Sequence, residues 1–378
     1  MEFRNFAVAV TLAAGLGLVS APVAAAEAEE SGRMANLEHL AESHHVEIGA
    51  GMTIVGQGAD GPANADGGVT YSVDVALESE VGDLGTAFVY INTSQGTGLS
   101  FADALGNAVS PNGGFNADDE GGNVTDGGYG DSRVAEAWLK IPLGGEMAAL
   151  TVGKVDATGI YDANEYANDE TTQFLGDPFV NNMAITFPGY TLGASLEITP
   201  TDELTVNVGA FEAAGDFAGA MRGGVVIGEV AYAHDMMGGG NARFIYWQAE
   251  DTDAAAGTVL DESGFAVNFD QVVAEGAGVF LRYGVRDDNN ATPGGIDSAL
   301  SLGGQYELGT GVVGVGYSIL TDAAATAGDD ESQLEVYYSH EVSDSVHITA
   351  DLQMMSSPEF NSANDDITVF GLRMQVDL

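Results

Sequence analysis

The chain has 378 residues, no cysteine, and 57 acidic residues against 10 lysines and arginines, which gives a formal net charge of −47 at pH 7. Such a charge repels nucleic acid and anionic surfaces, and the lack of cysteine excludes disulfide bonds and thiol chemistry. High net charge often accompanies disorder, but 45% of the residues are hydrophobic and they recur at regular spacing, which indicates a folded chain.

The first 26 residues have the three parts of a secretory signal peptide. Arg4 precedes an apolar stretch, Phe6–Ser20, and small residues lead up to Ala26. We therefore predict cleavage near Ala26, followed by an N-terminal periplasmic segment over residues 27–45. An uncleaved membrane anchor is the alternative. The shortness of the apolar stretch and the small residues after it disfavour that alternative.

From about Val46 to the end of the chain, apolar residues recur at every second position. In Val69–Leu77, for example, five apolar residues alternate with small or polar ones. The same alternation runs through Leu204–Phe211, Leu300–Leu308, Gln333–Val342 and Phe370–Leu378. It predicts strands with one apolar and one polar face. Since no run of about twenty apolar residues follows the signal peptide, a membrane-spanning helix is not expected.

The lengths of the links between strands distinguish a barrel from a sandwich. Short links, such as Gly82-Asp83 and Gly309-Thr310, alternate throughout with long ones, such as Ser94–Asp131 and Asp156–Gly189. Short periplasmic turns and long outer loops are typical of outer-membrane barrels. We therefore predict an all-β, transmembrane, antiparallel barrel of about 16 strands over residues 46–378, with an aqueous lumen. A soluble double sandwich or β-propeller is the alternative, and it does not explain the alternation.

The two longest links are the segments that can narrow such a wide lumen. Ser94–Asp131 is glycine-rich and acidic, whereas Asp156–Gly189 also carries five aromatic residues. Aromatic side chains suit a loop that packs against the barrel wall, so we predict that residues 156–189 fold into the lumen and form the constriction. The acidic side chains assigned to it are Asp162, Glu165, Asp169, Glu170 and Asp177. An outer loop that covers the mouth or contacts a neighbouring subunit is the alternative.

Three of the few arginines alternate with apolar residues on strands that we expect to be neighbours. Arg243, Arg282 and Arg286 are therefore predicted to face the lumen. Across from an acidic loop they would create a transverse field, which selects solutes by charge. The alternative for each arginine is simple pairing with a nearby carboxylate of the wall.

Both tryptophans are candidates for stacking against sugar rings in the lumen. Trp138 shares its strand face with Glu136 and Lys140, and Trp247 shares its face with Arg243. The alternative for each is a place in the aromatic girdle at the membrane surface.

Motifs for catalysis are missing from the sequence. It contains no Gly-x-Ser-x-Gly elbow, His-Glu-x-x-His pair or phosphate loop, so we predict neither enzymatic activity nor a cofactor. Asp118–Asn123 offers hard oxygen ligands for Ca²⁺ but lacks the full EF-hand spacing. Three histidines, His39, His44 and His45, precede the first strand, where a solvated segment is favoured over a metal site.

Several segments resemble the carbohydrate-selective porin family (OprB-like) of Gram-negative outer membranes. The most specific is Leu150–Asn182, which contains ANDETTQF at Ala167–Phe174 and FVNN at Phe179–Asn182. EAW at Glu136–Trp138 and the terminal Gly371–Leu378 are similar and follow in matching order.

The resemblance implies a 16-stranded barrel that passes monosaccharides and similar solutes, with arginines and acids at the constriction. It implies that the loop folded into the lumen is the one that holds Asp162, Asn168, Asp169, Glu170 and Gln173. The porin likeness also suggests a homotrimer, although a monomer is compatible with every feature of the sequence.

We therefore predict a porin in the outer membrane, surrounded by lipid, for passive diffusion of small hydrophilic solutes such as carbohydrates and cations. One alternative is a non-specific, cation-selective porin. Another is a surface or structural protein whose acidic loops bind Ca²⁺. The excess of acid is explained equally by adaptation to high salt and by a pore that attracts cations.

Overall fold

The computed structural model describes ten parts of the chain: residues 46–60, 67–97, 99, 111–112, 133–145, 147–212, 223–253, 258–288, 296–322 and 327–377. The predicted signal peptide, the periplasmic segment with its three histidines, and the candidate calcium ligands Asp118–Asn123 lie outside these residues. In the described part of the chain, no helix is long and apolar enough to cross a membrane.

Sixteen strands form one closed sheet in which each strand is antiparallel to its neighbours in sequence, and β16 pairs with β1 to close the barrel. The strands are β1 (Val46–Asp60), β2 (Gly68–Glu80), β3 (Thr86–Thr97), β4 (Arg133–Leu143), β5 (Ala148–Val155), β6 (Thr191–Thr201), β7 (Leu204–Glu212), β8 (Gly223–His234), β9 (Gly240–Asp253), β10 (Thr258–Ala274), β11 (Ala277–Asp288), β12 (Ser298–Leu308), β13 (Gly311–Thr321), β14 (Glu331–Ser343), β15 (Val346–Ser356) and β16 (Ile367–Asp377). This confirms the predicted architecture and strand number.

Helical structure in the described residues is confined to single turns. An α-helical turn, α1 (Asp177–Val180), lies between β5 and β6. Three 3₁₀ turns occupy Gly82–Leu84, Met236–Gly238 and Pro358–Phe360.

In strands such as β2 the two faces have opposite chemistry, as the alternation predicts. In β2, Val69 and Val73 are 56% and 39% exposed on the outer surface, whereas Thr70 and Ser72 are each 1% exposed and point inward. Large apolar side chains on the outer surface would be unfavourable in water. They are favourable in the hydrocarbon layer of a membrane, where a closed barrel also pairs every backbone group of its strands.

Most of the large buried side chains lie inside the barrel. One cluster contains Tyr161, Phe211, Trp247 and neighbouring aliphatic residues, and another contains Phe174, Phe179, Phe280 and Tyr337. Both clusters combine strand residues with residues of the long link between β5 and β6. The interior of the barrel is thus partly filled by its own chain.

Glycines on the inner wall make room for this link. A Cβ atom at Gly278 would collide with the ring of Tyr166, and one at Gly316 would lie 2.7 Å from Cε1 of Phe179. Real Cβ atoms do not approach other atoms so closely, so any larger residue at these positions would displace the aromatic side chains of the link.

Candidate functional site

Residues 156–189, which we call the inner loop, lie inside the barrel. Their polar atoms bond to inward side chains of β6, β8, β10, β11, β12, β14 and β16. The predicted folding of this loop into the lumen is therefore confirmed. Its role as the constriction stays a prediction.

Asp162 is the centre of the contacts near the start of the inner loop. It adopts a left-handed backbone conformation with φ of 63°, which Asp tolerates better than most residues. One carboxylate oxygen accepts the Asn182 N–H (2.8 Å) and pairs with Nε of Arg282 at 3.1 Å. The other accepts from Nδ2 of Asn268 (2.7 Å), and the Asp162 N–H donates to Glu229 (2.9 Å).

This arrangement changes the predicted role of Asp162 and Arg282. Their side chains are 0% and 1% exposed, so neither can contact a solute in the lumen. Arg282 also donates to the carbonyl oxygens of Phe179 (2.8 Å) and Asp162 (2.9 Å). Both side chains hold the loop to the wall. Alternation predicted correctly that Arg282 points inward, but it could not reveal that the loop covers it.

Two further side chains bind the loop backbone and were not predicted from the sequence. Arg373 of β16 donates to the carbonyl oxygens of Glu170 (2.6 Å) and Gln173 (2.9 Å). Glu335 of β14 accepts the N–H groups of Leu175 (2.6 Å) and Gly176 (2.9 Å). The sequence does indicate that Arg373 and Glu335 face the lumen, because each alternates with apolar residues along its strand.

The remaining predicted arginines pair within the wall. Arg243 bonds Asp270 of the adjacent strand at 2.6 Å. Arg286 lies 3.9 Å from Glu262, which also accepts from Thr186 of the inner loop. Arg243 and Arg286 therefore both pair with a nearby carboxylate, which was the alternative considered for each arginine.

The other predicted loop residues stabilise a turn at the middle of the inner loop. Asp169 accepts hydrogen bonds from Thr171 (2.8 Å from its N–H) and from the Thr172 hydroxyl (2.5 Å). Oε1 of Gln173 accepts the Asn168 N–H (2.8 Å), and its Nε2 donates to the carbonyl oxygen of Glu165 (2.9 Å). The Glu165 side chain itself is exposed.

Glu170 has the most perturbed acidity of the inner loop. Burial and the nearby carboxylates of Asp169 and Asp156 raise the pKa of Glu170 to about 7, and the Arg373 guanidinium opposes the rise. This carboxyl therefore changes its charge near neutral pH.

An open cleft lies between the inner loop and strands β3 to β7, across the lumen from β13. It has a volume of about 330 Å³, and we call it the Trp138 cleft. It is lined by Phe88, Glu136, Trp138, Lys140, Thr151, Val155, Asp156, Gly159, Ile160, Ser195, Glu197 and Asn207. Three residues of the inner loop and nine strand residues thus surround one space.

Aromatic and charged groups are side by side in the Trp138 cleft. The rings of Trp138 and Phe88 stack with centroids 4.7 Å apart, and Nε1 of Trp138 donates to Glu136 (3.0 Å). Lys140 and Glu197 form an ion pair at 3.1 Å while remaining 42% and 39% exposed. The cleft therefore offers an apolar ring face together with hydrogen-bonding groups that water and solutes can reach.

Trp247 is more deeply buried than Trp138, which packs against the edge of the same hydrophobic cluster. It is 0% exposed and packs in the cluster with Tyr161 and Phe211, beneath the inner loop. Among the described residues its Nε1 has no hydrogen-bond partner. The structure therefore gives the two predicted stacking residues different roles, since a solute can reach only Trp138.

Part of the other long link also enters the lumen, which the sequence did not indicate. The carbonyl oxygen of Pro111 accepts from Nε2 of Gln57 and of Gln353, both at 2.8 Å. Leu99 packs with Met355 and other inward residues of β15 and β16. Two separate links therefore reduce the open cross-section of the barrel.

A closed, 16-stranded barrel with an apolar outer surface and an inward-folded loop defines a porin. The sequence model described as "Carbohydrate-selective porin, OprB family" matches residues 61–378. The chain belongs to this family. Its family and its fold are those of channels of the outer membrane.

Solved structures share the fold at low sequence identity. The high-pH structure of Pseudomonas putida OprB has a TM-score of 0.74 at 14% identity, covering 91% of this chain and 97% of that one. An anion-selective porin from Comamonas acidovorans has a TM-score of 0.58 at 12% identity, covering 88% and 99%.

A sequence relative comes from Aquifex aeolicus. It is an uncharacterized protein, 26% identical over 226 residues, which is 60% of this chain and 64% of that protein. The chain thus spans less than two thirds of the length of this relative.

Proposed function

We propose that the protein is a passive channel for small hydrophilic solutes, monosaccharides above all, and that they pass through the Trp138 cleft. The observation that carries the proposal is the half-buried aromatic pair, Trp138 and Phe88, which lines the cleft beside the accessible Lys140–Glu197 ion pair. Membership of the carbohydrate-selective porin family supports the same solute class.

Sugar rings match the chemistry of this cleft. A pyranose has apolar C–H faces that pack on an aromatic ring, and a rim of hydroxyl groups that both donate and accept hydrogen bonds. Glu136, Glu197 and Asn207 supply acceptors and Lys140 supplies donors around the Trp138 ring. A volume of about 330 Å³ is at the small end of the range for ligand sites, which favours a single sugar ring over an oligosaccharide.

The charge of the cleft favours neutral and cationic solutes. Three carboxylates, Glu136, Asp156 and Glu197, face one lysine, Lys140. A surplus of negative charge at a narrow passage attracts cations and repels anions. We expect a reversal potential that shows preference for K⁺ over Cl⁻ at low salt, and the preference should fade as salt screens the field. A preference for Cl⁻ would contradict this part of the proposal.

Substitution of Trp138 tests the sugar site directly. In the reconstituted channel, glucose should interrupt the ion current of the parent protein, whereas Trp138→Ala should weaken this block about tenfold, the loss of one stacked aromatic contact. Trp138→Phe should retain part of it. Equal block in all three proteins would remove Trp138 from the solute path. Liposome swelling that is no faster for glucose than for a polyol of the same size would remove the preference for sugars.

The proposal also covers how the protein is processed and assembled in the membrane. The signal peptide is removed near Ala26 before assembly, outer-membrane lipid contacts the apolar outer surface, and the barrel is a monomer or a homotrimer. Mass spectrometry of the mature N-terminus tests the first part. The protein mass within detergent complexes distinguishes the two oligomeric states.

A further inference from the structure

Three charged side chains attach the inner loop to one side of the barrel. Arg282, Glu335 and Arg373 lie on β11, β14 and β16 and are 1%, 0% and 0% exposed. The middle of this wall, β13, is eight strands from β5 in a ring of sixteen, and is therefore opposite the strands of the Trp138 cleft. Arg282, Glu335 and Arg373 do not line the cleft.

The three side chains bind backbone groups of the loop. Together they contact six: the carbonyl oxygens of Asp162, Glu170, Gln173 and Phe179, and the N–H groups of Leu175 and Gly176. All these contacts measure 2.6–2.9 Å.

The inner loop needs these partners because it has little secondary structure of its own. Its only regular element among the described residues is the single turn α1. Buried carbonyl and N–H groups must be paired, either by protein or by water. Conversely, a buried guanidinium or carboxylate is unfavourable unless it is paired and hydrogen-bonded. Loop and wall therefore stabilise each other. When one charged side chain is removed, the backbone groups that it bound lose their hydrogen-bond partners and must bond to water instead.

We infer that Arg282, Glu335 and Arg373 are positioning residues that set the size limit of the channel without touching the solute. By fixing the inner loop to the wall at β11–β16, they close that side of the lumen. The water-filled path is then confined to the side of β3–β7. The inference rests on the proposed function only for the location of the path.

The test uses the full-length protein with Arg373→Gln, Arg282→Gln or Glu335→Gln, reconstituted in planar bilayers and in liposomes. Release of the loop should raise single-channel conductance about twofold, because an unfilled barrel of this strand number has a wide aqueous lumen. The swelling rate for a trisaccharide relative to a monosaccharide should rise with it. Arg373→Lys restores the charge but not the forked geometry, so its values should lie between those of the parent and Arg373→Gln.

Glu335→Gln is the decisive variant if an arginine variant fails to fold, because glutamine has nearly the same volume as glutamate. It keeps one acceptor but directs an NH₂ group at a backbone N–H. The matched control is Glu341→Gln, at the exposed end of the same strand, which should leave the size limit unchanged. Parent conductance and parent trisaccharide exclusion in a folded Glu335→Gln channel, with the fold checked by resistance to SDS before heating, would overturn the inference.

Failure of the proposed sugar site would look different. Trp138→Ala should alter the glucose block without admitting the trisaccharide. If that variant has no effect while the positioning variants raise conductance, the sugar site is wrong and the positioning role stands.

Discussion

The two sides of the lumen place the same kinds of residue in opposite surroundings. On the open side, Trp138 borders a cleft and the Lys140–Glu197 pair is about 40% exposed. Where the inner loop covers the wall, which we call the filled side, Trp247 of β9 and the Arg282–Asp162 pair are at most 1% exposed, although Trp138 packs against the edge of the cluster that holds Trp247. Both tryptophans and both cations face inward from the same sheet. The inner loop covers the second set and leaves the first accessible.

This difference predicts which substitutions affect stability and which affect transport. Exposed ion pairs contribute little to stability, whereas loss of one partner of a buried pair is costly. Residues on the filled side should therefore be sensitive to truncation in unfolding experiments. Residues on the open side should be sensitive in transport experiments.

The largest expected effect is that of Trp247→Ala. Removing a fully buried indole leaves a cavity, which should lower the free energy of unfolding by about 3–5 kcal/mol. Trp138→Ala, at a cleft, should lower it by about 1 kcal/mol. Denaturant unfolding in detergent micelles, followed by tryptophan fluorescence and by circular dichroism, measures both. Equal losses would show that the two sides do not differ as described.

Asp162→Asn should be the next most harmful. Asparagine also tolerates the left-handed backbone conformation, so the variant isolates the loss of charge. It leaves Arg282 without its carboxylate, which should lower the free energy of unfolding by about 3 kcal/mol. Glu165→Gln, on an exposed side chain of the same loop, is the control and should have little effect. If Asp162→Asn leaves the free energy of unfolding unchanged, the carbonyl oxygens of the loop are sufficient partners for Arg282.

The stability of the filled side should also depend on pH through Glu170. Its folded pKa of about 7 is raised above the value of an unperturbed glutamate. The protonated form is therefore favoured in the folded state, so this contribution is fully present below about pH 4.5 and is lost as the pH rises through 7. Glu170→Gln should be about 2 kcal/mol more stable than the parent at pH 8, and the difference should vanish near pH 4.5. A difference that does not change with pH would contradict this.

The smallest stability effect is expected for Lys140→Gln. The pair with Glu197 is exposed, so its loss should change the free energy of unfolding by less than about 0.5 kcal/mol. The same variant makes the cleft more negative and should increase the preference for K⁺ over Cl⁻. A large loss of stability with unchanged selectivity would place Lys140 among the structural residues instead.

The fold could be predicted from the sequence because its main signal is local. Alternation in Val69–Leu77 assigns each side chain to the outer or inner face, and the alternating link lengths assign each link to one rim. The aromatic residues of 156–189 were sufficient to predict that this loop folds inward. Arg282 and Trp247 were also assigned correctly to the inner face.

The candidate site was predicted only in part because its contacts are not local. Arg373 binds Glu170, 203 residues away in sequence, and Glu335 binds Leu175, 160 residues away. No periodic pattern contains such a pair. Pro111, which meets Gln57 and Gln353 inside the barrel, lies in a link whose composition resembles a solvated loop.

The sequence by itself determined a barrel of about sixteen strands, the inward face of the strands with regular alternation and the identity of the loop that enters the lumen. These properties follow from a two-residue repeat and from the lengths of links, which need no knowledge of distant contacts. Only the tertiary structure decided which inward residues meet solute. That choice depends on where the inner loop lies, and its position is set by buried charges on β11, β14 and β16 that pair with backbone groups carrying no sequence signature.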